Sequence, residues 1–349
     1  MGKKKSLPQH LQVQHDHVLV GPEQNSHTST QTSASVYSAL GVDNSWSFDE
    51  FAETFQIKIN SLRGDTMEFD MIGADPSIAN SLRRILIADV PTMAIEHVFM
   101  VNNTSIIQDE VFSHRLGLVP LFVDPTPFEI KTSEEAPSEK NTLVFKLDVT
   151  CSRQGDRVIN SKVTSDQLIW LPKGSEMPEE TSSRFAAGQA HMYTEENKPR
   201  PVHADILLAK LRPGQSIQLE AHCIRGTGHE HAKWSPVATA WFRLHPEIIL
   251  KKEVTGDIAD ELCAAAPGLF VKDSSGKLEQ PVARGNEHHL EKVRRLLDQD
   301  RYSSVLQYRK RKNHFIFTIE SSGCLPPDEL LSRALVILSE KATKLAERL

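Results

Sequence analysis

Apolar and polar positions first fall into order at Phe51. Phe55-Gln-Ile-Lys-Ile-Asn and Met67-Glu-Phe-Asp-Met-Ile alternate with the period of two that marks strands, and Arg63-Gly64-Asp65 turns the chain between them. Asp75-Pro76 supplies a capping side chain and a proline at the first helical position, so a helix is predicted from there to about Asp89, where Val90-Pro91 stops it. Residues 92–101 read as a strand, 109–118 as a short helix, 124–140 as a loop and 143–149 as a strand. Residues 172–201 read as irregular. Two apolar runs, 205–211 and 216–223, flank Arg212-Pro213-Gly214-Gln215, whose proline then glycine predicts a type II turn and a hairpin. A strand over 237–244, a mixed stretch over 251–286 and a helix over 287–297 follow. Residues 309–312 form a basic turn, 314–320 a strand, and Pro326-Pro327-Asp328-Glu329 opens a last helix. Residues 1–45, rich in Gln, Ser, Thr and His, carry too few spaced apolar side chains to offset ordering entropy and read as a disordered tail.

Two helices carry the most information. At about 100° per residue, Ile78, Leu82, Ile85 and Leu86 share one face of the first, Arg83 and Arg84 flank it, and Ile87 falls opposite. That pattern fits either a core helix with one stray isoleucine or a helix with a second apolar contact. In the last helix, Leu331, Leu335, Leu338, Ala342, Leu345 and Leu349 are spaced four, three, four, three, four, a heptad seam. Such a seam packs on its own domain, on another subunit, or on both.

Composition narrows the chemistry. A chain of 349 residues holds two or three domains. Its 40 Lys+Arg against 46 Asp+Glu argue against coating nucleic acid along the whole chain, though a local basic patch stays open. The lysines at 3–5 form an import signal or a solvated cluster. Cys151, Cys223, Cys263 and Cys324 make no CxxC pair and suit a reducing compartment. There is no apolar run of membrane-spanning length and no signal-peptide core, which leaves cytoplasm or nucleus. GxSxG, P-loop, HExxH and Rossmann patterns are missing, and Gly226-Thr-Gly228 is a lone GxG. His222, Cys223, His229 and His231 are near in sequence, but His222 and Cys223 are strand neighbours pointing to opposite faces. No metal or other cofactor is expected. Two loops, 102–110 and 228–236, are dense in Asn, Asp, His, Lys and Trp; they either meet partners or are solvated turns whose Trp234 folds back onto the core.

Taken together, several segments resemble the RNA polymerase α subunit family. They are Phe69-Asp-Met-Ile-Gly, Ala79-Asn80-Ser81-Leu82-Arg83-Arg84-Ile85-Leu86 and Val90-Pro91-Thr92-Met93-Ala94-Ile95-Glu96. Asn102-Asn103-Thr104-Ser105 to Asp109-Glu110, His114-Arg115-Leu116-Gly117-Leu118-Val119-Pro120, Arg212-Pro213-Gly214-Gln215, His231-Ala232-Lys233-Trp234-Ser235-Pro236 and Leu244-His245-Pro246-Glu247 continue the match in order. The resemblance implies an α+β fold. A discontinuous dimerisation domain is expected over 46–92 and 241–349, with a β-rich domain over 93–240 inserted into it. Leu262-Cys263 with Pro267-Gly268-Leu269-Phe270 looks like the remnant of a ferredoxin-like insert within 251–300, with one cysteine and no set of four. The polymerase II branch carries a four-cysteine zinc loop that this chain lacks, and the bacterial DNA-binding domain is not expected. What remains resembles the branch common to polymerases I and III.

The same resemblance implies a non-catalytic scaffold in the nucleus, including the nucleolus. Nucleotidyl transfer would belong to the two largest subunits, and DNA would be met only indirectly. Ile78, Leu82, Ile85, Leu86, Ile87 and the seam from Leu331 to Leu349 would pack on a smaller α-like subunit. Arg83, Arg84, Asn103, Asp109, Glu110, His231, Lys233 and Trp234 would face the second-largest subunit, and a small zinc-binding shared subunit would also bind. Two competitors come from other classes: a metal-dependent enzyme using Cys223, His229 and His231, and a nucleic-acid binder using 309–312.

Overall fold

Alternating segments become strands and the Pro-initiated segments become helices in the computed structural model, which describes residues 7–29, 36–43, 45–132, 134–183 and 185–349. The lysine run at 3–5 lies outside the described residues. In chain order the main elements are α1 (Gln9–Asp16), β1 (His17–Val20), β2 (Asn25–Ser26), α2 (Phe48–Thr54), β3 (Gln56–Arg63), β4 (Thr66–Ile72), α3 (Pro76–Ala88) and β5 (Thr92–Asn103). There follow α4 (Asp109–Gly117), β6 (Thr142–Thr150), β7 (Lys162–Thr164), β8 (Ile169–Trp170), β9 (Leu207–Lys210), β10 (Ser216–Gly226) and β11 (Val237–Leu250). The chain ends with α5 (Asp257–Ala265), α6 (Leu290–Leu296), β12 (Leu306–Ser321) and α7 (Pro327–Ala346). Shorter pieces join them. The fold is α+β with antiparallel pairing.

Two compact units divide the chain. One comprises Met1–Asn60, Glu68–Asn80 and Phe242–Phe317. Its sheet has the order β2-β1-β12-β4-β3, with β11 also paired to β12. Phe69 stacks on Phe317 at 5.1 Å and Phe242 meets Phe315 edge-on at 5.3 Å, which places aromatic bulk on the sheet. A second cluster buries Ile248, Leu262, Phe270, Val293 and Tyr302, so the stretch resembling a ferredoxin remnant supplies core. Asp70 is buried, accepting from Asn60 Nδ2 at 3.0 Å and the Arg284 guanidinium, with His314 Nε2 3.3 Å away. Burial alone would raise its carboxyl, but the hydrogen bonds and charges of Arg284 and His314 outweigh that and hold it low.

Residues 9–26 correct the expectation of a disordered tail over 1–45. They form a helix and two strands, and β1 pairs antiparallel with β12, His17 opposite Arg311 and Leu19 opposite Arg309. The stabilisation comes from backbone pairing and from side chains distant in sequence. Lys312 Nζ donates to Gln14 O at 2.9 Å and Ser29 O at 2.8 Å, and Arg294 Nε donates to Gly21 O at 3.0 Å. Apolar spacing within the segment cannot reveal such partners. The basic turn expected at 309–312 is likewise the middle of β12. Arg309 and Arg311 both pair with Glu247, whose carboxylate is held low by His17, 3.5 Å away, and by hydrogen bonds from Arg309 and Arg311.

The other unit comprises Ser61–Met67, Ser81–Trp241 and Thr318–Leu349. Its four-stranded sheet has the order β8-β6-β10-β5. Ile217, Leu219, Ala221 and Cys223 of β10 alternate into the main core cluster. The turn at 212–215 forms as predicted, with Gln215 N donating to Arg212 O at 2.9 Å and Gly214 at φ +90°. The hairpin does not. β9 pairs with β7, whereas β10 pairs with β5 and β6. Residues 151 and 161 take the backbone bonds that a hairpin would use: Gly214 N donates to Cys151 O and Leu211 N to Ser161 O, both at 2.9 Å.

His222, on the opposite face of β10 from Cys223, is also buried. Its ring lies 4.7 Å from that of Phe99, and neither nitrogen has a hydrogen-bond partner among the described residues. Glu220, 3.8 Å away, is held by Ser175 Oγ at 2.6 Å and Glu176 N at 2.8 Å. Burial pushes the His222 imidazole down to about 4. A group with a depressed folded pKa binds protons more readily when unfolded, so stability is lost as pH falls from the ordinary value near 6.5 towards 4. The loss expected at pH 5 is about 2 kcal/mol. Urea denaturation at pH 7.5 and pH 5 checks it: His222→Leu is expected to flatten this part of the pH dependence, and an unchanged slope would contradict the assignment.

Candidate subunit interface

The apolar stripe of α3 is where the spacing puts it. Leu82, Ile85 and Leu86 are buried, while Ile78 and Ile87 are half-buried. Arg83 is half-buried and Arg84 exposed. Ile87 therefore looks away from the buried stripe yet is partly covered; it lines a cleft of about 460 Å³ with Ile85, Ala88, Leu338 and Lys341.

In α7 the chain's own packing is confined to the first turns. Pro327, Leu330, Leu331 and Ala334 are buried, Ile337 and Leu338 half-buried, and every residue from Ser339 onward is exposed. Among the seam positions Leu331 is covered, but Leu335 is 38% exposed and Leu345 62%; Leu349, expected on the seam, lies beyond the last helical residue, Ala346. Leu330 and Ala334, four apart and adjacent to the seam, are core positions that the heptad reading passed over. Arg333 anchors the buried end, donating to Asp124 Oδ1 at 2.9 Å and Glu329 Oε1 at 2.5 Å.

Asp89 also escaped the sequence reading. It lies just past α3, with Oδ2 at 2.8 Å from Lys341 Nζ on α7 and Oδ1 at 3.1 Å from His229 Nε2. Those three residues stand far apart in the chain, so no local signal could have joined them.

The two loops differ in character. At 102–110, Asn103 Nδ2 donates to Ile107 O at 2.9 Å and Asp109 Oδ1 at 2.6 Å, and Ser105 N donates to Asn103 Oδ1 at 3.1 Å. This self-braced turn leaves Ile106 90% exposed and presents Asp109 and Glu110 on the first turn of α4, where negative charge suits the helix dipole. At 228–236, of the two readings left open, Trp234 takes the one that folds it back onto the core. His231 is exposed and caps its short 3-10 turn by accepting from Lys233 N at 3.0 Å. Trp234, expected at a partner surface, is buried: its Nε1 donates to Ile224 O at 3.1 Å, and Thr92 Oγ1 donates to its carbonyl at 2.8 Å. Lys233, expected beside it, turns its Nζ inward to Ile95 O at 2.8 Å and the Glu96 carboxylate, 4.4 Å from the Trp234 ring centre. A large indole with one donor gains more from a dry pocket with a carbonyl than from solvent.

The remaining chemistry is spoken for. Cys223 is sealed in the core, where burial raises its thiol, while His229 and His231 are exposed. Among the described residues, no three His, Cys, Asp or Glu side chains converge as metal ligands would. Of the cations at 309–312, Arg309 and Arg311 are engaged by Glu247 and Lys312 by the carbonyls of residues 14 and 29, while Lys310 is half-buried, which leaves no row of exposed, unengaged cations for phosphates. No helix among the described residues is long and apolar enough to cross a membrane.

A family model described as the RNA polymerase Rpb3/Rpb11 dimerisation domain matches residues 68–342. The chain is 40% identical over 323 residues to the Mus musculus protein named DNA-directed RNA polymerases I and III subunit RPAC1, covering 88% of each chain. It is 36% identical over 343 residues to the Saccharomyces cerevisiae protein of the same name, covering 93% of this chain and 96% of that one. Identity is 30% over 301 residues to the Dictyostelium discoideum protein named DNA-directed RNA polymerase II subunit rpb3, covering 82% and 92%.

Proposed function

The chain belongs to the RNA polymerase Rpb3/Rpb11 dimerisation-domain family, and from that premise we propose that it is a non-catalytic assembly subunit shared by RNA polymerases I and III. Higher identity to the relatives named for polymerases I and III than to the one named for polymerase II supports the assignment to that branch. The observation that carries the scaffolding role is the outer part of the α7 seam, where Leu335, Ala342 and Leu345 are exposed and Leu338 is half-buried. An apolar helix face left open by its own domain is stable in water only at a cost, and a second helix relieves it.

Residues 46–92 and 241–349 form the dimerisation domain in this reading, and 93–240 the inserted β-rich domain. Ile87 of α3 and Leu335, Leu338, Ala342 and Leu345 of α7 meet the smaller α-like subunit, whereas Leu82, Ile85, Leu86 and Leu331, expected there too, are buried within the chain and hold the two helices in place. Arg83, Arg84, Asn103, Asp109, Glu110 and His231 face the second-largest subunit, and a small zinc-binding shared subunit completes the assembly. Trp234 and Lys233 act from within, fixing the loop that carries His231. DNA is met only through the assembled enzyme, in the nucleus and, for polymerase I, the nucleolus. Affinity purification of the tagged chain from nuclear extract tests the reading. Recovery of the catalytic subunits of polymerases I and III is expected; recovery of those of polymerase II alone, or of none, overturns it.

A further inference from the structure

Beyond Ala334, α7 has little to lean on. Ile337 and Leu338 are half-buried, and every side chain from Ser339 onward is exposed. Among the described residues, the one ion pair that ties this outer half to another element is Lys341 Nζ with Asp89 Oδ2 at 2.8 Å. The second oxygen of the same carboxylate lies 3.1 Å from His229 Nε2. The loop bearing His229 is itself seated on the end of α3. His229 N donates to Ala88 O at 3.2 Å, and an added Cβ at Gly228 would sit 2.3 Å from Ile87 O, so only glycine allows that approach.

Asp89 is also a residue in an unfavourable place. A carboxylate directly after the last turn of a helix faces the negative end of the helix dipole. For α3 alone, asparagine would be the better choice there. The carboxylate is explained by what it holds: a lysine on α7 and a histidine on the neighbouring loop, both drawn to the carbonyl end of α3.

We propose that Asp89 is a positioning residue for subunit association, clasping α7 to α3 so that the exposed seam is presented at the angle the partner helix needs before the partner arrives. The inference rests on the proposed dimerisation role of these helices. A segment fixed in its bound orientation associates faster, because a larger fraction of encounters meets a competent conformation. Asp89 touches no partner in this scheme; it acts through Lys341.

Association of the full chain with the smaller α-like subunit, measured by surface plasmon resonance, tests this. Asp89→Asn and Lys341→Met are each expected to weaken association about two- to fivefold, the range of an ion pair whose lysine is solvent-exposed, chiefly by slowing the on-rate. The double variant is expected to be no weaker than either single one, because both remove the same contact. Asp89→Lys with Lys341→Asp together is expected to restore part of the loss. Melting of the Asp89→Asn chain alone is expected at the wild-type temperature or above it, since the helix-end carboxylate is gone; a merely structural role would lower it. Unchanged association of the single variants, strictly additive losses, or a lowered melting temperature overturns the inference while leaving the dimerisation reading intact. A wild-type chain that does not bind the smaller subunit overturns that reading and the clasp with it.

Discussion

Leu82→Asp is expected to abolish folding of the chain, not merely its association. Leu82 is fully buried on α3, beside Ile85 and Leu86. Removing a buried leucine side chain costs about 2–5 kcal/mol, and placing an unpaired carboxylate there adds several more unless it is neutralised. Against a typical total of about 5–15 kcal/mol, little or nothing remains. Circular dichroism of the purified variant, or its loss to the insoluble fraction, reads this directly. Arg84→Ala supplies the contrast. Arg84 is exposed one turn from the same stripe, so its removal is expected to leave melting unchanged. A folded Leu82→Asp chain that fails only to bind would instead put the stripe at the partner contact.

Deleting residues 339–349 is expected to have the opposite profile. Every side chain removed is exposed, so the truncated chain should keep its spectrum and melting temperature nearly intact. Association with the smaller α-like subunit is where the loss appears. Ala342, Leu345 and Leu349 are exposed, the last of them past the end of α7 at Ala346, and burying two leucines against a partner is worth up to about 3–6 kcal/mol at about 1.5–3 kcal/mol each. At about 1.4 kcal/mol per tenfold, affinity is expected to fall by about a hundredfold to ten-thousandfold. Truncation also removes Lys341, but a pair whose lysine is solvent-exposed is worth about 1 kcal/mol, so the clasp alone cannot produce a loss of that size. Co-expression followed by co-purification measures the outcome. Undiminished heterodimer yield would mean that the seam is not the contact.

These two predictions diverge because the two helices look alike in sequence and differ in cover. Both show leucines at helical spacing, and both read equally well as core or interface. The structure separates them: Leu82 has no exposed surface, whereas Leu345 is 62% exposed. Trp234 shows the same ambiguity resolved the other way, since a tryptophan in a polar loop suits a docking surface until its Nε1 is found on Ile224 O.

By itself the sequence determined what depends on neighbours along the chain. Period-two and heptad spacing, Pro76 at a helix start and Pro213-Gly214 in a turn act through residues a few positions apart, so the strands, α3, α7 and the 212–215 turn were legible. The ordered motifs from Phe69 to Glu247 likewise carried the family, since a long run of specific words needs no coordinates. Tertiary structure alone decided whatever depends on partners far away in sequence. The ordering of 9–26 rests on β12 and on Lys312 and Arg294, and the failure of the 205–223 hairpin rests on strands 142–150 and 162–164. The clasp at Asp89 joins residues 89, 229 and 341. Backbone pairing and ion pairs are satisfied by whichever group the fold brings near, and loop closure over such distances leaves no local trace in composition or period.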